Sequence, residues 1–232
     1  MSGFFSGILD LLYPRKCAFC CRITRDGRMV CPECEKNLPF PAKEQEQQNI
    51  PPLALCLAPL YYTGKVRESL LRYKFHGAAA YCGIYAEFMA GCLQRHGVEA
   101  DRVSWVPLSR QRLRRRGYDQ AKLLAEQVSK RTGIPCERLI IKIKNNPAQS
   151  GRKSREERAK NVQGVYRAIG VRPGERIILI DDIVTTGATL KATATELLGA
   201  GAASVTGLAA ACAERDRSEI KEMNGDNGYA DI

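Results

Sequence analysis

The sequence predicts an α/β protein that carries a small cysteine-rich unit at its N-terminus. From Leu53 onward, short apolar runs alternate with stretches of helical periodicity, which is typical of layered α/β architectures. The run RIILID at 176–181 is almost continuously apolar, as expected for a parallel strand buried on both faces. Two Cys-x-x-Cys pairs lie within the first 40 residues. At 232 residues, the chain has room for one main domain and one accessory unit.

The composition is that of an ordinary globular protein, with 44% hydrophobic and 26% charged residues. These values exclude a disordered, collagenous or coiled-coil chain. No apolar run reaches the ~18 residues of a membrane span, and the apolar N-terminal stretch lacks a basic start and is interrupted by Asp10. We therefore expect neither a span nor a signal peptide. Ten cysteines in such a chain indicate reduced thiols or metal ligands, and hence a cytoplasmic protein.

Four cysteines of the N-terminal unit have the spacing of a structural zinc site. Cys17-x-x-Cys20 and Cys31-x-x-Cys34 each supply two thiolates, and four thiolates in a tetrahedron suit zinc. Cys21 could replace Cys20, but only Cys20 repeats the gap of the second pair; a redox pair is the weaker alternative because the spacing occurs twice. Zinc removal is expected to destabilise the first 40 residues selectively. The remaining cysteines are expected to be small core residues: Cys56, Cys82, Cys92, Cys136 and Cys212.

Three segments are predicted along the chain. Residues 1–50 form the zinc-ribbon unit and a linker, residues 51–212 form the main domain, and residues 213–232 form a polar C-terminal tail. The linker corresponds to residues 42–52, which are polar and end in two prolines, as in an exposed connection. The boundary is therefore placed near Ile50.

Each element of the main domain is predicted from periodicity and end signals. The clearest helix carries Ala121, Leu124, Ala125 and Val128 on one face and stops at Gly133. In chain order we expect strand structure within 55–62, helices over 66–75 and 79–94, a strand over 103–107, this amphipathic helix, a strand over 139–142, polar residues over 145–161, a strand over 176–181, a helix over 187–199 and a strand from 204. The last three elements form a parallel crossover unit.

The excess of positive charge is concentrated in the middle of the chain. Residues 102–176 contain 20 basic and 6 acidic side chains, a net charge of +14, within a chain whose total is +11. Such a field suits the phosphates of a metabolite, pyrophosphate or a nucleic acid backbone. The alternative is a solvated basic face without a ligand.

Two adjacent carboxylates, Asp181 and Asp182, end the apolar strand, and a loop rich in threonine and glycine then opens a helix. Backbone N–H groups of such a loop can surround a phosphate, while the carboxylates hold ribose hydroxyls. This position, beyond the carboxyl end of a strand, is where ligands bind in open α/β sheets. The alternative is that Asp182 or Thr185 only caps the helix. The candidate phosphate-binding residues are Thr185, Thr186, Gly187, Ala188 and Thr189.

The segment DDIVTTGAT, preceded by four apolar residues, resembles the phosphoribosyl pyrophosphate (PRPP) motif of type I phosphoribosyltransferases. Together with the four-cysteine unit, it resembles the ComF family of competence-associated proteins. Residues 73–77 (YKFHG) resemble an early signature of that family, and residues 106–125 resemble its arginine-rich stretch, although position 119 is Asp where Asn is commoner. The other matching residues are Arg116, Gly117, Tyr118, Gln120, Gln149, Arg152, Arg155, Arg158 and Asn161.

This resemblance implies a type I phosphoribosyltransferase-like fold, which is a doubly wound parallel sheet, with a small N-terminal four-cysteine zinc ribbon. It implies that Asp181 and Asp182 are the catalytic carboxylates, which hold ribose hydroxyls directly or through Mg²⁺. It also implies that Ser109 and Arg110 flank the pyrophosphate of PRPP. The arginines that could close over the pyrophosphate are Arg155 and Arg158.

Two functions are compatible with these features. The first is a DNA-uptake accessory protein that binds single-stranded DNA through charge and stacking, beside the helicase-like ATPase that the resemblance implies. The second is an active phosphoribosyltransferase, a glycosyltransferase that moves phosphoribose from PRPP to a small nitrogen base. A purely structural zinc adaptor ranks last because it leaves DDIVTTGAT unexplained. The candidate nucleic-acid residues are Arg112, Arg114, Arg115, Arg116, Tyr118, Arg155 and Arg158.

Overall fold

Four parallel strands in the order β1–β6–β5–β2 form the centre of the computed structural model, which describes residues 15–24, 27–144 and 164–214. No helix within these ranges is long and apolar enough to cross a lipid bilayer. The elements in chain order are α1 (Pro32–Asn37), β1 (Leu55–Leu57), α2 (Gly64–Phe75), α3 (Cys82–Arg95), β2 (Arg102–Trp105), α4 (Arg110–Arg116), α5 (Gln120–Thr132), β3 (Ile140–Lys142), β4 (Tyr166–Ala168), β5 (Arg176–Val184), α6 (Ala188–Gly199) and β6 (Ser204–Cys212), with 3₁₀ turns at Lys43–Glu46 and Ala79–Tyr81.

The two faces of the sheet are covered by different helices. Successive side chains of a strand point to opposite faces. Ile178 and Ile180 therefore pack into one core with α2, α3 and α5, whereas Ile177 and Leu179 pack into a second core with α6. This arrangement confirms the doubly wound parallel sheet predicted for the main domain.

The strand β5 is longer than predicted and carries the acidic pair within its last turn of pleat. Asp181 pairs in register with Ala209, and pairing continues to Val184 opposite Cys212. The predicted end at residue 181 was wrong because two carboxylates look like a strand end. At the carboxyl edge of a sheet, one face of each residue opens to a cleft, so a polar side chain there does not interrupt the ladder.

A separate two-stranded antiparallel sheet of β3 and β4 lies beside the second core. Lys142 pairs with Tyr166, and Ile140 pairs with Ala168. The sequence predicted the first of these strands but not the second. Residues 145–163, including the polar run predicted at 145–161, lie outside the described residues.

A short helix that the sequence analysis did not predict occupies the basic run. Helix α4 begins after Ser109, whose Oγ accepts a hydrogen bond from the N–H of Arg112 at 3.3 Å. It ends at Gly117, where φ is +80° and only glycine adopts the turn without strain. The hydrophobic periodicity was absent because Leu113 is the only apolar residue among seven.

The polar segment 42–52 is not an exposed linker. Glu46 is buried and accepts hydrogen bonds from Arg95 and from Nε2 of His96, the latter at 2.9 Å. The N–H of Gln48 donates to the carbonyl of Cys56 at 2.7 Å, and Ile50 packs into the second core. A polar sequence was misinterpreted here because its partners lie in distant segments, and the boundary near Ile50 remains a prediction.

The N-terminal unit packs against the helices of the main domain. Phe19 is fully buried, and its ring lies edge-on to that of Tyr85 at 5.9 Å between centroids. A guanidinium nitrogen of Arg72 donates to the carbonyls of Ala18 and Phe19 at 3.1 and 2.8 Å. One hydrophobic core therefore contains residues of both units.

Candidate functional site

The acidic pair faces a lysine of helix α2. Asp182 Oδ1 lies 2.9 Å from Nζ of Lys74, and both side chains are only about one-seventh exposed, at 14% and 15%. Asp181 Oδ1 accepts a hydrogen bond from the N–H of Asp182 at 2.8 Å. The sequence singled out YKFHG only as a signature and gave Lys74 no role, because this ion pair joins residues that are far apart in the chain.

The charge of Asp181 is held in a costly position. Burial, followed by the neighbouring charge of Asp182, raises the pKa of Asp181 to about 7, although Lys74 and the N–H of Asp182 favour the carboxylate. A carboxylate held this way gains strongly from a cation or from hydroxyl donors brought by a ligand. The pair is thus suited to bind a polyhydroxylated, metal-associated ligand.

A third carboxylate, Asp119, adds to this acidic centre. It caps helix α5 by accepting the N–H of Lys122 at 3.2 Å, and it also accepts the N–H of Leu108 at 3.2 Å. Burial raises the pKa of Asp119, and the charge of Asp182 raises it further. Aspartate at this position therefore fixes the β2–α4 loop to the start of α5.

The threonine-rich loop opens helix α6 without a side-chain cap. Gly187 is the N-cap residue with φ of +72°, and neither Asp182 nor Thr185 caps the helix, so the capping alternative is wrong. Thr185 is exposed, and Thr186, Ala188 and Thr189 are half-buried. The N-terminal N–H groups and the threonine hydroxyls thus surround an open position suited to a phosphate.

Ile50 packs directly on this loop. A Cβ built at Gly187 would lie 2.5 Å from Cδ1 of Ile50 and 3.0 Å from its Cγ2. Such distances require the whole side chain to move, because real Cβ atoms do not approach so closely. The segment that joins the two units therefore supports the loop from beneath.

Replacing Gly187 by Ala should lower the free energy of unfolding by about 2–4 kcal/mol, because strained backbone and overpacking add. Gly133→Ala is the matched control: φ is +75° there, but nothing lies within 4 Å of the added Cβ. This control should cost only about 1 kcal/mol. Chemical denaturation of both variants, and of Gly187→Ala with Ile50→Ala, measures the difference. Equal losses at both glycines would contradict the contact with Ile50.

The basic residues of α4 surround an exposed aromatic ring. We call Arg112, Arg114, Arg115, Arg116 and Phe75 the basic ridge. Phe75 is 49% exposed, and the guanidinium carbons of Arg116 and Arg115 lie 4.9 and 5.9 Å from its ring centroid. Burial lowers the pKa of the Arg116 guanidinium, whereas the charge of Asp182 favours its protonated form. The ridge and the acidic pair are therefore adjacent.

Tyr118 does not supply the stacking surface that the sequence suggested. Its hydroxyl donates to the carbonyl of Tyr73, and the two rings pack at 5.8 Å between centroids. The hydroxyl of Tyr73 in turn donates to the carbonyl of Gln120 at 2.8 Å. Tyr118 joins α2 to α5, and the exposed ring beside the arginines is that of Phe75.

The two residues expected at the pyrophosphate differ in their surroundings. Ser109 is 4% exposed, and its hydroxyl caps α4. Arg110 is exposed and lines clefts on either side of the β2–α4 loop. Arg155 and Arg158, with the other residues of the second basic segment, lie outside the described residues.

The cysteine cluster brings together the four cysteines that the spacing selected. The sulfur atoms of Cys17, Cys20, Cys31 and Cys34 all lie within 4.8 Å of one another. Cys21 is exposed and outside this cluster; its φ of +61° places it in the tight turn after Cys20. Four convergent sulfurs fit a tetrahedral structural zinc ion.

Comparisons with known proteins agree with both units. Residues 8–45 match the double zinc ribbon domain family, and residues 114–228 match the phosphoribosyl transferase domain family. The DNA utilization protein YhgH of Salmonella typhimurium is 27% identical over 205 residues, covering 82% of this chain and 86% of that protein. Competence protein ComFC of Bacillus subtilis is 36% identical over 149 residues, covering 62% of this chain and 59% of ComFC.

The chain belongs to the ComF family. Both domain matches fall where the family resemblance placed them, and the fold is the expected type I phosphoribosyltransferase fold with an N-terminal zinc ribbon. Among solved structures, a glutamine PRPP amidotransferase from B. subtilis is 27% identical, with a TM-score of 0.38, covering 59% of this chain and 30% of that one.

Proposed function

We propose that this ComF-family protein is a DNA-uptake accessory protein that binds PRPP at the acidic pair and single-stranded DNA at the basic ridge. Relatives named for competence and for DNA utilization support the setting. A helicase-like competence ATPase is the partner proposed with it, and the cytoplasm is the proposed compartment. The net charge of +14 over residues 102–176 supplies the field that attracts both polyanions.

One observation carries this proposal: consecutive residues of α2 face the two sites. Lys74 pairs with Asp182 at 2.9 Å, and Phe75 presents its ring beneath Arg116. Arg116 also interacts electrostatically with Asp182. A ligand that recruits the carboxylate of Asp182 thus changes the partner of Lys74, one residue from the stacking surface.

The proposed PRPP site uses the groups of the β5–α6 segment. Asp181 and Asp182 hold ribose hydroxyls, and the loop from Thr185 to Thr189 holds the 5′-phosphate through N–H groups and hydroxyls. Carboxylate oxygens are the ligands that Mg²⁺ prefers, so the acidic pair fits this cation. When bound, Mg²⁺ would supply charge neutralisation for the pyrophosphate. The ionised Asp181 is the form that serves this site.

The proposed DNA site predicts two separable effects on oligonucleotide affinity. Phe75→Ala should weaken binding by about tenfold at every salt concentration, because stacking contributes about 1–3 kcal/mol per base and is insensitive to salt. Arg114→Gln should instead reduce the slope of log affinity against log salt by about 0.7, because it removes one phosphate contact. Fluorescence anisotropy of a labelled single strand across a salt series measures both.

Matched controls exist for each substitution. Phe40 is 46% exposed but packs on Phe88, at 5.3 Å between centroids, away from the ridge. Arg131 is exposed on α5 and bonds only Gln127 among the described residues. Phe40→Ala and Arg131→Gln should leave affinity and slope unchanged. A salt-independent affinity of the unaltered protein would refute the DNA site.

The second candidate function is phosphoribosyl transfer to a small nitrogen base. A cleft of about 520 Å³ beside the acidic pair favours it, since an acceptor needs such a space. In this reaction the acceptor nitrogen bonds to C1 of ribose, the bond from C1 to pyrophosphate breaks, and the nitrogen loses its proton. Release of pyrophosphate from PRPP on addition of an acceptor would establish it.

A further inference from the structure

A cleft of about 520 Å³ lies between the β2–α4 loop and strand β3. Its described lining combines three cations with an apolar wall and contains no carboxylate. The residues are Leu108, Ser109, Arg110, Arg138, Ile141, Lys142 and Ile143.

The cleft adjoins the acidic pair. Trp105 is in register with Ile180, and the N–H of Val106 donates to the carbonyl of Ile180 at 2.9 Å. The loop that begins there and lines the cleft therefore starts next to Asp181. From the other side, Tyr166 on β4 is near enough that the charge of Asp181 raises the pKa of its hydroxyl, after the larger effect of burial.

Lys142 is the least compensated of the three cations. Its ammonium lies 5.4 Å from the centroid of the Tyr166 ring, and no carboxylate of the described ranges pairs with it. Burial lowers the pKa of Lys142, and the nearby positive charge of Arg112 lowers it further. Two cations facing one another without an acid are stabilised when an anion binds between them.

We propose that this cleft is the acceptor subsite and that it selects a heterocycle bearing a carboxylate, with Lys142 as the specificity-determining cation. The inference rests on the proposed PRPP site, because the acceptor must meet ribose at Asp181. Leu108 and Ile141 contact the flat apolar ring, and the cations bind the acid group. A neutral base leaves these cations without a counter-charge, so it binds more weakly.

The test compares two probes that share a pyrimidine ring, orotate with a carboxylate and uracil without one. With the protein saturated by PRPP and Mg²⁺, calorimetry should show orotate binding at least about tenfold more tightly than uracil, as expected for a hydrogen bond to a charged group. Lys142→Met, which keeps the length of the side chain, should remove this preference. Lys144→Met, at an exposed lysine two residues along, should retain it.

Each outcome decides the proposal. Equal binding of orotate and uracil, or binding of neither probe, would overturn the acidic acceptor while leaving the PRPP site intact. Weaker PRPP binding by Lys142→Met would assign the lysine to pyrophosphate and also overturn it. PRPP is titrated first, so a failure of that titration marks the failure of the proposed function itself. Circular dichroism of both variants excludes misfolding as the cause.

Discussion

Replacing Asp181 by Asn should abolish Mg²⁺-dependent PRPP binding and, at pH 8, raise the free energy of unfolding by about 1–2 kcal/mol. The amide oxygen still accepts the N–H of Asp182, which now bonds Asp181 at 2.8 Å, so the fold is retained. The amide has no charge to offer a ribose–metal complex. Calorimetry measures the loss of binding, and denaturant unfolding measures the gain in stability.

The gain should depend on pH with a definite sign. The pKa of Asp181 is about 7 in the folded protein, against 3.8 for an unperturbed aspartate, because of burial and the charge of Asp182. Between these pH values the folded protein holds more protons than the unfolded chain, so its stability falls as pH rises. The asparagine variant escapes this loss. Its advantage should be absent at pH 4 and complete above pH 7.

Asp101 provides the control for this prediction. It is an exposed aspartate whose pKa is lowered by hydrogen bonds from Arg176. Asp101→Asn should therefore leave PRPP binding unchanged and give no gain in stability at pH 8. A stabilised Asp181→Asn variant that still binds PRPP would show that the acidic pair is strained for a different reason.

Loss of zinc should destabilise the whole described structure, and not the first 40 residues alone. The zinc unit shares one core with the main-domain helices through Phe19 and Tyr85, and Arg72 holds two of its carbonyls. Cys20→Ser should lower the melting temperature by about 10 °C or more. The packing thus replaces the selective effect that the sequence suggested.

The chain contains a single tryptophan, which makes this test direct. Trp105 lies on β2, in the sheet of the main domain, so its fluorescence reports unfolding of that domain. Cys20→Ser and zinc chelation should both shift the tryptophan transition. Cys21→Ser should retain zinc and an unchanged transition, because Cys21 lies outside the cluster. An unshifted transition after zinc loss would mean that the two units unfold independently.

The sequence predicted the parts of the fold that local patterns specify. RIILID, the periodic face of α5 and the repeated cysteine spacing each encode their structure within a few residues. Helix α4 was missed because arginines carry no hydrophobic period. Its end signals, Ser109 and Gly117, were present and could have located it.

The parts that could not be predicted depend on partners distant in the chain. Glu46 looked like a linker residue because His96, its buried partner, lies 50 positions away. The pairing of Lys74 with Asp182 has the same origin. Similarly, the exposure of Phe75 and the inward orientation of Tyr118 follow from how α2 and α5 pack. Sequence patterns name the candidate residues, whereas their neighbours are set by tertiary structure.

The most direct test of the account is calorimetric titration of the protein with PRPP, with and without Mg²⁺, repeated with a saturating single-stranded oligonucleotide. We expect one PRPP per chain, binding that requires Mg²⁺, and an affinity several-fold weaker when the oligonucleotide is present, because both anions meet the charges around Lys74 and Arg116. Absence of PRPP binding with Mg²⁺ present would contradict the central claim. PRPP binding unaffected by the oligonucleotide would separate the two sites and favour transferase activity.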